Sequence, residues 1–233
     1  MLSLNTHRMV KKWDPRTLSS RCTILVLGKR NRGKSTAVID LCRFVKAPKG
    51  IVFSATDHCA HVFDKIFPPR HVVPDLTEEK LEHLIRVQKN LTAKDKRFEK
   101  TGCLLVIDDV GFDRRFWQRS KALSEIMCNG RHYNFTVILA LQDAVSLPPA
   151  LRAQLDLVFC LAEAFASNQK RLYEFFFGMF DEQASFRKCL QECTRDYGML
   201  VLDNRSADPS DLAQTVFWYR AQHGLDYKFG KLR

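Results

Sequence analysis

The chain lacks the features that mark membrane, secreted and zinc-binding proteins. No apolar run reaches the ~20 residues that a membrane-spanning helix needs, and the N-terminus MLSLNTHRMVKKWD has no signal-peptide core. Its eight cysteines are scattered, and no two form a CxxC pair. Buried thiols in a reducing compartment explain this distribution better than disulfides or zinc. We therefore expect a soluble, intracellular protein with no membrane-spanning segment.

Negative charge is scarce in the N-terminal region. Residues 1–50 contain twelve lysines and arginines but only two acids, Asp14 and Asp40, and so hold nearly all of the net charge of +11. A basic region favours a polyanionic partner, nucleic acid first. The alternative is a solvated surface that happens to be basic, because charge alone carries no specificity.

The 233 residues contain no low-complexity tract and no internal repeat, and they are enough for one globular domain with a sizeable core. Apolar runs predict strands, and amphipathic stretches predict helices. The predicted strands are 21–28, 50–56, 103–110, 135–142, 155–162, 197–203 and 215–221. The predicted helices lie within 33–46, 76–100, 114–134, 168–180 and 181–194. Strands that alternate with helices favour an α/β domain around a mostly parallel sheet, with the last two strands at an edge or in a hairpin.

The stretch GKRNRGKS, residues 28–35, follows the first predicted strand and opens the first predicted helix. It fits the pattern G-x-x-x-x-G-K-[ST], in which the glycines let backbone N–H groups and a helix N-terminus point at phosphate oxygens. Lys34 would reach the β- and γ-phosphates, and Ser35 would coordinate Mg²⁺. The sequence thus predicts a nucleotide-binding loop. Its predicted contacts are Gly28, Lys29, Arg30, Asn31, Arg32, Gly33, Lys34, Ser35 and Thr36.

Polar side chains end two further predicted strands. Asp108 and Asp109 follow the run LLVI, and Gln142 closes FTVILALQ. Asp108 at a strand tip can hold the water shell of Mg²⁺, whereas Asp109 can polarise an attacking water. Gln142 can sense the γ-phosphate or position that water. The alternatives are acids that merely begin a loop and a solvated strand end.

Arg131 and Arg152 are candidates for an arginine that completes the γ-phosphate site of a neighbouring subunit, because charge develops there during transfer. The alternative for each is an ordinary surface arginine. The segment FDRRFWQRSK, residues 112–121, mixes cations with aromatics and could face DNA. Its aromatics could equally be part of the core.

The stretches GKRNRGKS, LLVIDDV and NGRHYNFTVILALQDAVSLPPALRAQLD, in that order, resemble the DNA-packaging ATPases of large nucleocytoplasmic DNA viruses. These poxvirus- and mimivirus-like proteins belong to the FtsK–HerA superfamily of P-loop ATPases. The likeness covers roughly residues 20–165. It implies a RecA-like core of the additional-strand type, ATP and Mg²⁺ as cofactors, and a homo-oligomeric ring of five or six subunits. It also implies translocation of double-stranded DNA without regard to its sequence.

The resemblance assigns roles residue by residue. It implies catalytic roles for Lys34, Asp109, Gln142 and Arg131, with Arg152 as the second choice of arginine, and metal binding by Ser35 and Asp108. Two positions depart from the pattern of the superfamily. Arg32 stands where a small residue is more usual, and Asp109 stands where cellular members tend to have glutamate.

The sequence itself indicates a domain plan, and the resemblance implies a cellular setting. We expect residues 1–20 to be a basic arm and 21–233 to be the ATPase domain, in which 168–233 matches no motif. Capsid proteins are possible partners. The implied location is the viral factory in the host cytoplasm, or the virion.

Other function classes fit the sequence less well. A GTPase would be expected to show an Asn-Lys-x-Asp motif, which is absent, and a nucleotide kinase would need a lid that residues 84–100 do not clearly supply. A helicase loader or transposition ATPase shares the loop and the acids but not the NGRH…Q stretch. A basic structural protein with a degenerate nucleotide site is disfavoured because Lys34, Ser35 and Asp108 are intact.

Overall fold

A computed structural model describes residues 10–55, 61–108 and 114–230 of the chain. Within these ranges, nine strands form one sheet, and helices cover both of its faces. The strands are β1 (Lys11–Lys12), β2 (Thr23–Leu27), β3 (Lys49–Ser54), β4 (Val72–Val73), β5 (Cys103–Asp108), β6 (Phe135–Leu141), β7 (Leu157–Cys160), β8 (Gly198–Asp203) and β9 (Val216–Arg220). The α-helices are α1 (Lys34–Cys42), α2 (Glu78–Lys94), α3 (Phe98–Thr101), α4 (Arg114–Arg119), α5 (Lys121–Asn129), α6 (Pro149–Arg152), α7 (Ala166–Phe176), α8 (Gln183–Cys193) and α9 (Leu212–Thr215).

The seven strands predicted from the sequence are all present, although the one predicted at 103–110 is described only as far as Asp108. The two-residue edge strands β1 and β4 were not predicted, because two residues are too short for a periodic signal. The predicted helix over 114–134 is divided at Ser120. The Ser120 hydroxyl accepts a hydrogen bond from the backbone N–H of Leu123 at 2.9 Å, and so caps α5 as a new helix.

The strand order is β1-β9-β8-β7-β2-β6-β5-β3-β4. The central strands β7, β2, β6, β5 and β3 are parallel, and β8 is antiparallel to both β7 and β9. Because β6 lies between β2 and β5, an extra strand separates the strand that leads into the phosphate loop from the strand that ends in Asp108. The predicted additional-strand α/β architecture is therefore confirmed.

The sheet is buried on both faces. Along β2, Leu25 and Leu27 pack into the hydrophobic cluster on one face, whereas Ile24 and Val26 pack into the cluster on the other. This burial explains why the sequence of β2 is a continuous apolar run rather than an alternating one. Helices α2, α5, α7 and α8 contribute to the first cluster, and α1 contributes to the second.

The C-terminal segment holds α1 in place through two hydrogen bonds. The hydroxyl of Tyr219 on β9 donates to the fully buried carboxylate of Asp40 at 2.5 Å, and Arg43 donates to the other oxygen of that carboxylate at 2.9 Å. The hydroxyl of Tyr227 donates to the backbone oxygen of Ile39 at 2.5 Å. Burial and the Asp40 hydrogen bond raise the pKa of Tyr219, so its phenol keeps the proton that it donates.

In the described part of the predicted N-terminal arm, Lys11–Lys12 form strand β1, which pairs with β9 at the edge of the sheet. Trp13 is 2% exposed and packs edge-to-face on Phe159 and Tyr219, with ring centroids 5.1 and 5.4 Å away. Residues 10–13 therefore cover part of the core. In the described parts of the chain, no helix is both long enough and apolar enough to cross a membrane.

The burial of Trp13 yields a stability prediction. We expect Trp13→Ala to lower the free energy of unfolding by about 3–5 kcal/mol, because the substitution leaves a cavity against two aromatic rings. Arg16→Ala is the control, since the Arg16 side chain is 84% exposed and its ion pair with Asp14 lies at the surface, so a change within about 0.5 kcal/mol is expected. Urea unfolding of the three proteins measures both changes. Equal stabilities would show that residues 10–13 do not pack on the domain.

Candidate nucleotide-binding site

The loop between β2 and α1 has the backbone shape that a phosphate-binding loop requires. The N–H of Gly28 donates to the backbone oxygen of Leu141 at 3.1 Å, which ties the start of the loop to the end of β6. A Cβ on Gly28 would lie 2.7 Å from the Cδ1 of Leu161, so a side chain cannot fit there without moving the loop or β7. Gly33 has φ +93° and Asn31 has φ +58°, both in the left-handed region that curls the chain back on itself.

Lys34 points into the loop that precedes it. The side chain is buried, and its Nζ donates to the backbone oxygen of Lys29 at 3.3 Å. An ammonium group beside the loop backbone and at the N-terminus of α1 favours an anion there, because the exposed N–H groups of that terminus carry partial positive charge. The residue that the sequence assigns to the β- and γ-phosphates thus lies where a phosphate would be bound.

Ser35 and Asp108 provide two oxygen ligands side by side. The Ser35 hydroxyl donates to Oδ2 of Asp108 at 3.3 Å, although one residue opens α1 and the other ends β5. Hydroxyl and carboxylate oxygens are the ligands that Mg²⁺ prefers, and it also retains waters and phosphate oxygens. The pair therefore fits Mg²⁺ bound together with a nucleotide. Among the described residues, no group of three or more His, Cys, Asp or Glu side chains could hold a metal ion by itself.

Gln142 and Glu163 lie in the same cleft as Gly28, at the ends of β6 and β7. The Glu163 carboxylate is 4.0 Å from Nζ of Lys29 and also accepts a hydrogen bond from the Asn168 side chain at 2.9 Å. The loop, Asp108, Gln142 and Glu163 are all at the carboxyl edge of the parallel strands, which is where open α/β sheets bind ligands.

Arg131 and Arg152 lie at the opposite edge of the sheet. Both line one groove with Asp156, which accepts a hydrogen bond from the N–H of Thr23 at the first residue of β2. Arg131 precedes β6, whose seven residues extend roughly 20 Å at about 3.3 Å per residue before they reach the loop. Neither arginine can therefore reach the nucleotide site of its own subunit.

The two arginines differ in their surroundings. The Arg152 guanidinium donates to the backbone oxygen of Leu147 at 2.7 Å and stacks on Phe175, 3.9 Å from the ring centroid. Burial lowers the pKa of Arg152 from its ordinary value. The Arg131 side chain is exposed and forms no ion pair or side-chain hydrogen bond with the described residues. Of the two, Arg131 is the one whose guanidinium is accessible at the surface.

Two predicted features fall wholly or partly outside the described residues. Asp109, the predicted water-polarising acid, is among residues 109–113, which are not described. In the rest of the candidate DNA-facing segment 112–121, Trp117 is 1% exposed and Phe116 packs against the core. These two aromatics therefore belong to the core, which was one of the two interpretations. Arg115 and Arg119 are exposed.

Sequence reasoning missed two residues near the loop. Glu163 follows a predicted strand as Asp108 and Gln142 do, so a search for polar residues at strand ends would have found it. Tyr197 is 58% exposed, and its Cδ1 lies 3.6 Å from the place where a Cβ on Gly33 would be. No sequence motif marks Tyr197, because it lies beside the loop only as a result of the antiparallel pairing of β8 with β7.

Comparisons with known proteins agree with this geometry. The family model described as the Poxvirus A32 protein matches residues 11–172. A protein of Acanthamoeba polyphaga mimivirus is 33% identical over 215 residues, covering 89% of this chain and 74% of its own length. A protein of Invertebrate iridescent virus 6 is 31% identical over 211 residues, with coverages of 89% and 81%. The chain belongs to the Poxvirus A32 protein family.

Solved structures show the same fold as this A32-family chain. The genome packaging NTPase B204 of Sulfolobus turreted icosahedral virus 2, in complex with ATP-γ-S, superposes with a TM-score of 0.61 at 18% identity, covering 88% of this chain and 99% of B204. The pCW3 conjugation coupling protein TcpA gives a TM-score of 0.60 at 14% identity, covering 87% of this chain and 60% of TcpA. The predicted membership of the packaging ATPases of large DNA viruses is confirmed, and the A32-family chain is an ATPase of the P-loop class.

The contact between Ser35 and Asp108 yields a prediction about metal dependence. We expect Asp108→Asn to weaken the binding of Mg·ATP by about 10- to 100-fold, because the metal loses a carboxylate near its water shell. Binding of ATP in EDTA should be unchanged. The shift of the melting temperature by ATP, measured once with Mg²⁺ and once with EDTA, separates metal-dependent binding from binding of ATP alone.

Asp181→Asn is the matched control, since it removes the same charge from an exposed position far from the loop in sequence. It should bind ATP as the wild type does in both conditions. An equal loss for Asp108→Asn in Mg²⁺ and in EDTA would contradict a metal-binding role for Asp108.

Proposed function

We propose that the chain is an ATP-driven motor that moves double-stranded DNA and packages a viral genome. The observation that carries the proposal is that one subunit holds two separate parts of a hydrolytic site. We call these parts half-sites, because neither is complete without the other. The phosphate loop, Ser35, Asp108 and Gln142 lie at the carboxyl edge of the sheet, and the exposed Arg131 lies at the other edge. Neighbouring subunits in a ring would join one half-site to the other.

The residues that the sequence motifs single out have the following parts in the proposed hydrolysis. The backbone N–H groups of residues 28–35 bind phosphate oxygens, and Lys34 exchanges its bond with the Lys29 oxygen for one with the β- and γ-phosphates. Ser35 and Asp108 would hold Mg²⁺ with its waters, and the ion would supply positive charge beside the phosphates. Asp109 orients and polarises the attacking water, and Gln142 contacts the water or the γ-phosphate.

The proposed ring follows from the distance between the two edges. Hydrolysis develops negative charge on the γ-phosphoryl oxygens, and a guanidinium supplied by another subunit can stabilise it. Arg131 is exposed and has no ion pair within the described residues, so it is the proposed finger. Arg152 is held by Leu147 and Phe175 and serves mainly to shape the groove around Arg131. A closed ring of five or six subunits places every loop beside such a groove.

Double-stranded DNA is the proposed substrate because the basic N-terminal region carries exposed cations beside the loop. Arg30 and Arg32 are exposed and form no ion pair with the described residues. Exposed cations bind phosphates whatever the base sequence, which suits a motor that must move along an entire genome. The B204 structure is that of a genome packaging NTPase, and this supports packaging as the purpose of the movement.

The proposed partners and setting follow from packaging. A packaging motor acts where capsids are filled, so we propose capsid proteins as partners and the viral factory or the virion as the location. In the proposed domain plan, residues 21–233 are the ATPase domain that contains both half-sites, and residues 10–13 complete its sheet and core.

The first test of the function is phosphate release from Mg·ATP with and without linear double-stranded DNA. We expect DNA to stimulate turnover in the wild type, and Lys34→Ala to lower turnover by roughly 100-fold or more, because a cation aimed at the developing charge is lost. Stimulation should be the same for duplexes of unrelated sequence. It should fall steeply between 50 and 200 mM salt, as phosphate contacts dictate.

Lys188→Ala is the control for the removal of one positive charge, because Lys188 lies on α8 rather than in the loop. Its turnover should equal that of the wild type. If DNA does not change the turnover of the wild type, the protein is not a DNA motor, and another P-loop enzyme is favoured. ATP binding without turnover in either condition would favour a nucleotide-binding structural role.

The second test is whether Arg131 acts on a neighbouring subunit. We expect Arg131→Ala to lower turnover by roughly 1000-fold while ATP binding is kept, because the arginine stabilises charge only in the transition state. Lys34→Ala is also inactive but keeps its arginine. In a mixture of equal amounts, about a quarter of the interfaces in randomly assembled rings join an intact loop to an intact arginine, so part of the activity should return.

Arg152→Ala is the matched control for the mixing experiment. It removes an arginine from the same groove, and we expect it to lower stability more than turnover, because its guanidinium holds the Leu147 carbonyl and Phe175. Phosphate release from both mixtures measures the outcome. Continued inactivity of mixed rings, with subunit exchange demonstrated by labelled subunits, would contradict action in trans.

A further inference from the structure

Tyr197 is an exposed aromatic residue that lies beside the phosphate loop. Its side chain is 58% exposed, whereas most aromatic residues of the described chain are buried or half-buried. Its Cδ1 lies 3.6 Å from the position of a Cβ on Gly33, the residue immediately before α1. The ring thus borders the N-terminus of α1, where the nucleotide phosphates are expected, and most of its surface faces solvent.

The backbone that presents Tyr197 is strained. Asp196 has φ +48° and Tyr197 has φ +60°, so two consecutive non-glycine residues adopt the left-handed conformation. Such conformations cost free energy and persist only where the surroundings enforce them, most often at ligand sites. Glycine and asparagine adopt this conformation more readily than tyrosine does, so Tyr197 occupies this position at a cost in free energy.

The neighbouring structure fixes this turn. A Cβ on Gly198 would lie 2.2 Å from the backbone oxygen of Cys193, so the chain is pressed against the end of α8 at that point. Arg220 on β9 donates to the backbone oxygen of Arg195 at 3.3 Å and lies 3.7 Å from the Asp196 carboxylate. The antiparallel pair of β8 and β9 thus fixes the position of the tyrosine relative to α1.

A second ring completes the arrangement. His223 lies just beyond β9, and its ring is at 85° to that of Tyr197, with the centroids 6.3 Å apart. An edge-to-face neighbour restricts how the tyrosine ring turns and leaves it exposed for stacking. Aromatic rings of this kind bind nucleobases by stacking, which works for every base because every base has a π-face.

We propose that Tyr197 is the stacking platform for the nucleobase of the bound nucleoside triphosphate. The inference rests on the proposed function, since it takes the loop as the site of the triphosphate. It gives the region 168–233 a part in the nucleotide site: β8 and β9 bring an aromatic residue back to the loop. Tyr197 is a binding residue that takes no part in the chemical step. Because stacking recognises a π-face rather than hydrogen-bonding groups, adenine and guanine nucleotides are both held by it.

The test compares ligands with and without a base. Titration calorimetry measures the binding of Mg·ATP, Mg·GTP and Mg·tripolyphosphate to the wild type, Tyr197→Ala, Tyr197→Phe and Tyr197→Gly. We expect Tyr197→Ala to weaken ATP and GTP by about tenfold, because one stacking contact is lost. Tripolyphosphate, which has no base, should bind with unchanged affinity. Tyr197→Phe keeps the ring and should bind all three ligands as the wild type does.

Tyr197→Gly separates the loss of the ring from damage to the turn. Glycine adopts φ +60° without strain, so this variant should be at least as stable as the wild type and still lose about tenfold in ATP affinity. Tyr133→Ala is the control for the loss of an aromatic ring away from the loop, because Tyr133 is half-buried and lies just before β6, at the opposite edge of the sheet. It should bind ATP normally.

Two results would overturn the inference. Equal losses for ATP and tripolyphosphate would show that Tyr197 supports the loop rather than the base, and unchanged ATP affinity in Tyr197→Gly would show that it does neither. If the wild-type protein binds ATP but does not hydrolyse it, the proposed motor is contradicted. The binding comparison still decides whether Tyr197 stacks on the base. A wild-type protein that binds no triphosphate would overturn both proposals.

Discussion

The pairing of β2 with β6 on one side and β7 on the other is the constraint on which the site depends. All five residues of β2 are buried, so the strand cannot shift without exposing apolar surface on both faces of the sheet. The loop that follows β2 must therefore start at one place, where Gly28 is bonded to the end of β6 and lies against Leu161 beyond β7. The glycine is required because the Leu161 side chain leaves no space for a Cβ.

The same sheet separates the two halves of the proposed hydrolytic site. Parallel strands collect polar residues at their carboxyl ends, which brings Asp108 on β5 to the Ser35 hydroxyl on α1. The segments that precede the parallel strands lie at the other edge of the sheet, and Arg131 is in the segment before β6. A parallel sheet cannot bring these two edges together within one subunit. Assembly of several subunits is thus a geometric requirement of any mechanism that uses Arg131 at the phosphates.

Local sequence signals predicted the parts of this arrangement that depend on local chemistry. The apolar run of β2 and the spacing of Gly28 and Gly33 are legible because burial and backbone curvature each demand particular residues. Tyr197 was not predictable, since its place beside Gly33 depends on antiparallel pairing between strands far apart in sequence. Glu163 was overlooked although it follows a predicted strand, because a single acid lacks the pattern that a motif provides.

The basic N-terminal region shows why net charge is a weak guide to function. Part of its charge is used within the fold: Arg21 donates to the Asn134 side chain at 2.6 Å, and Arg43 is paired with the buried Asp40. Removing Arg43 would leave a buried carboxylate without its counter-charge, so this arginine stabilises α1 and is not available to DNA. Arg30 and Arg32 are different, because their exposure leaves them accessible to a polyanion. A cation binds DNA most readily where the fold leaves it exposed and without an acidic partner, and Arg30 and Arg32 meet that condition.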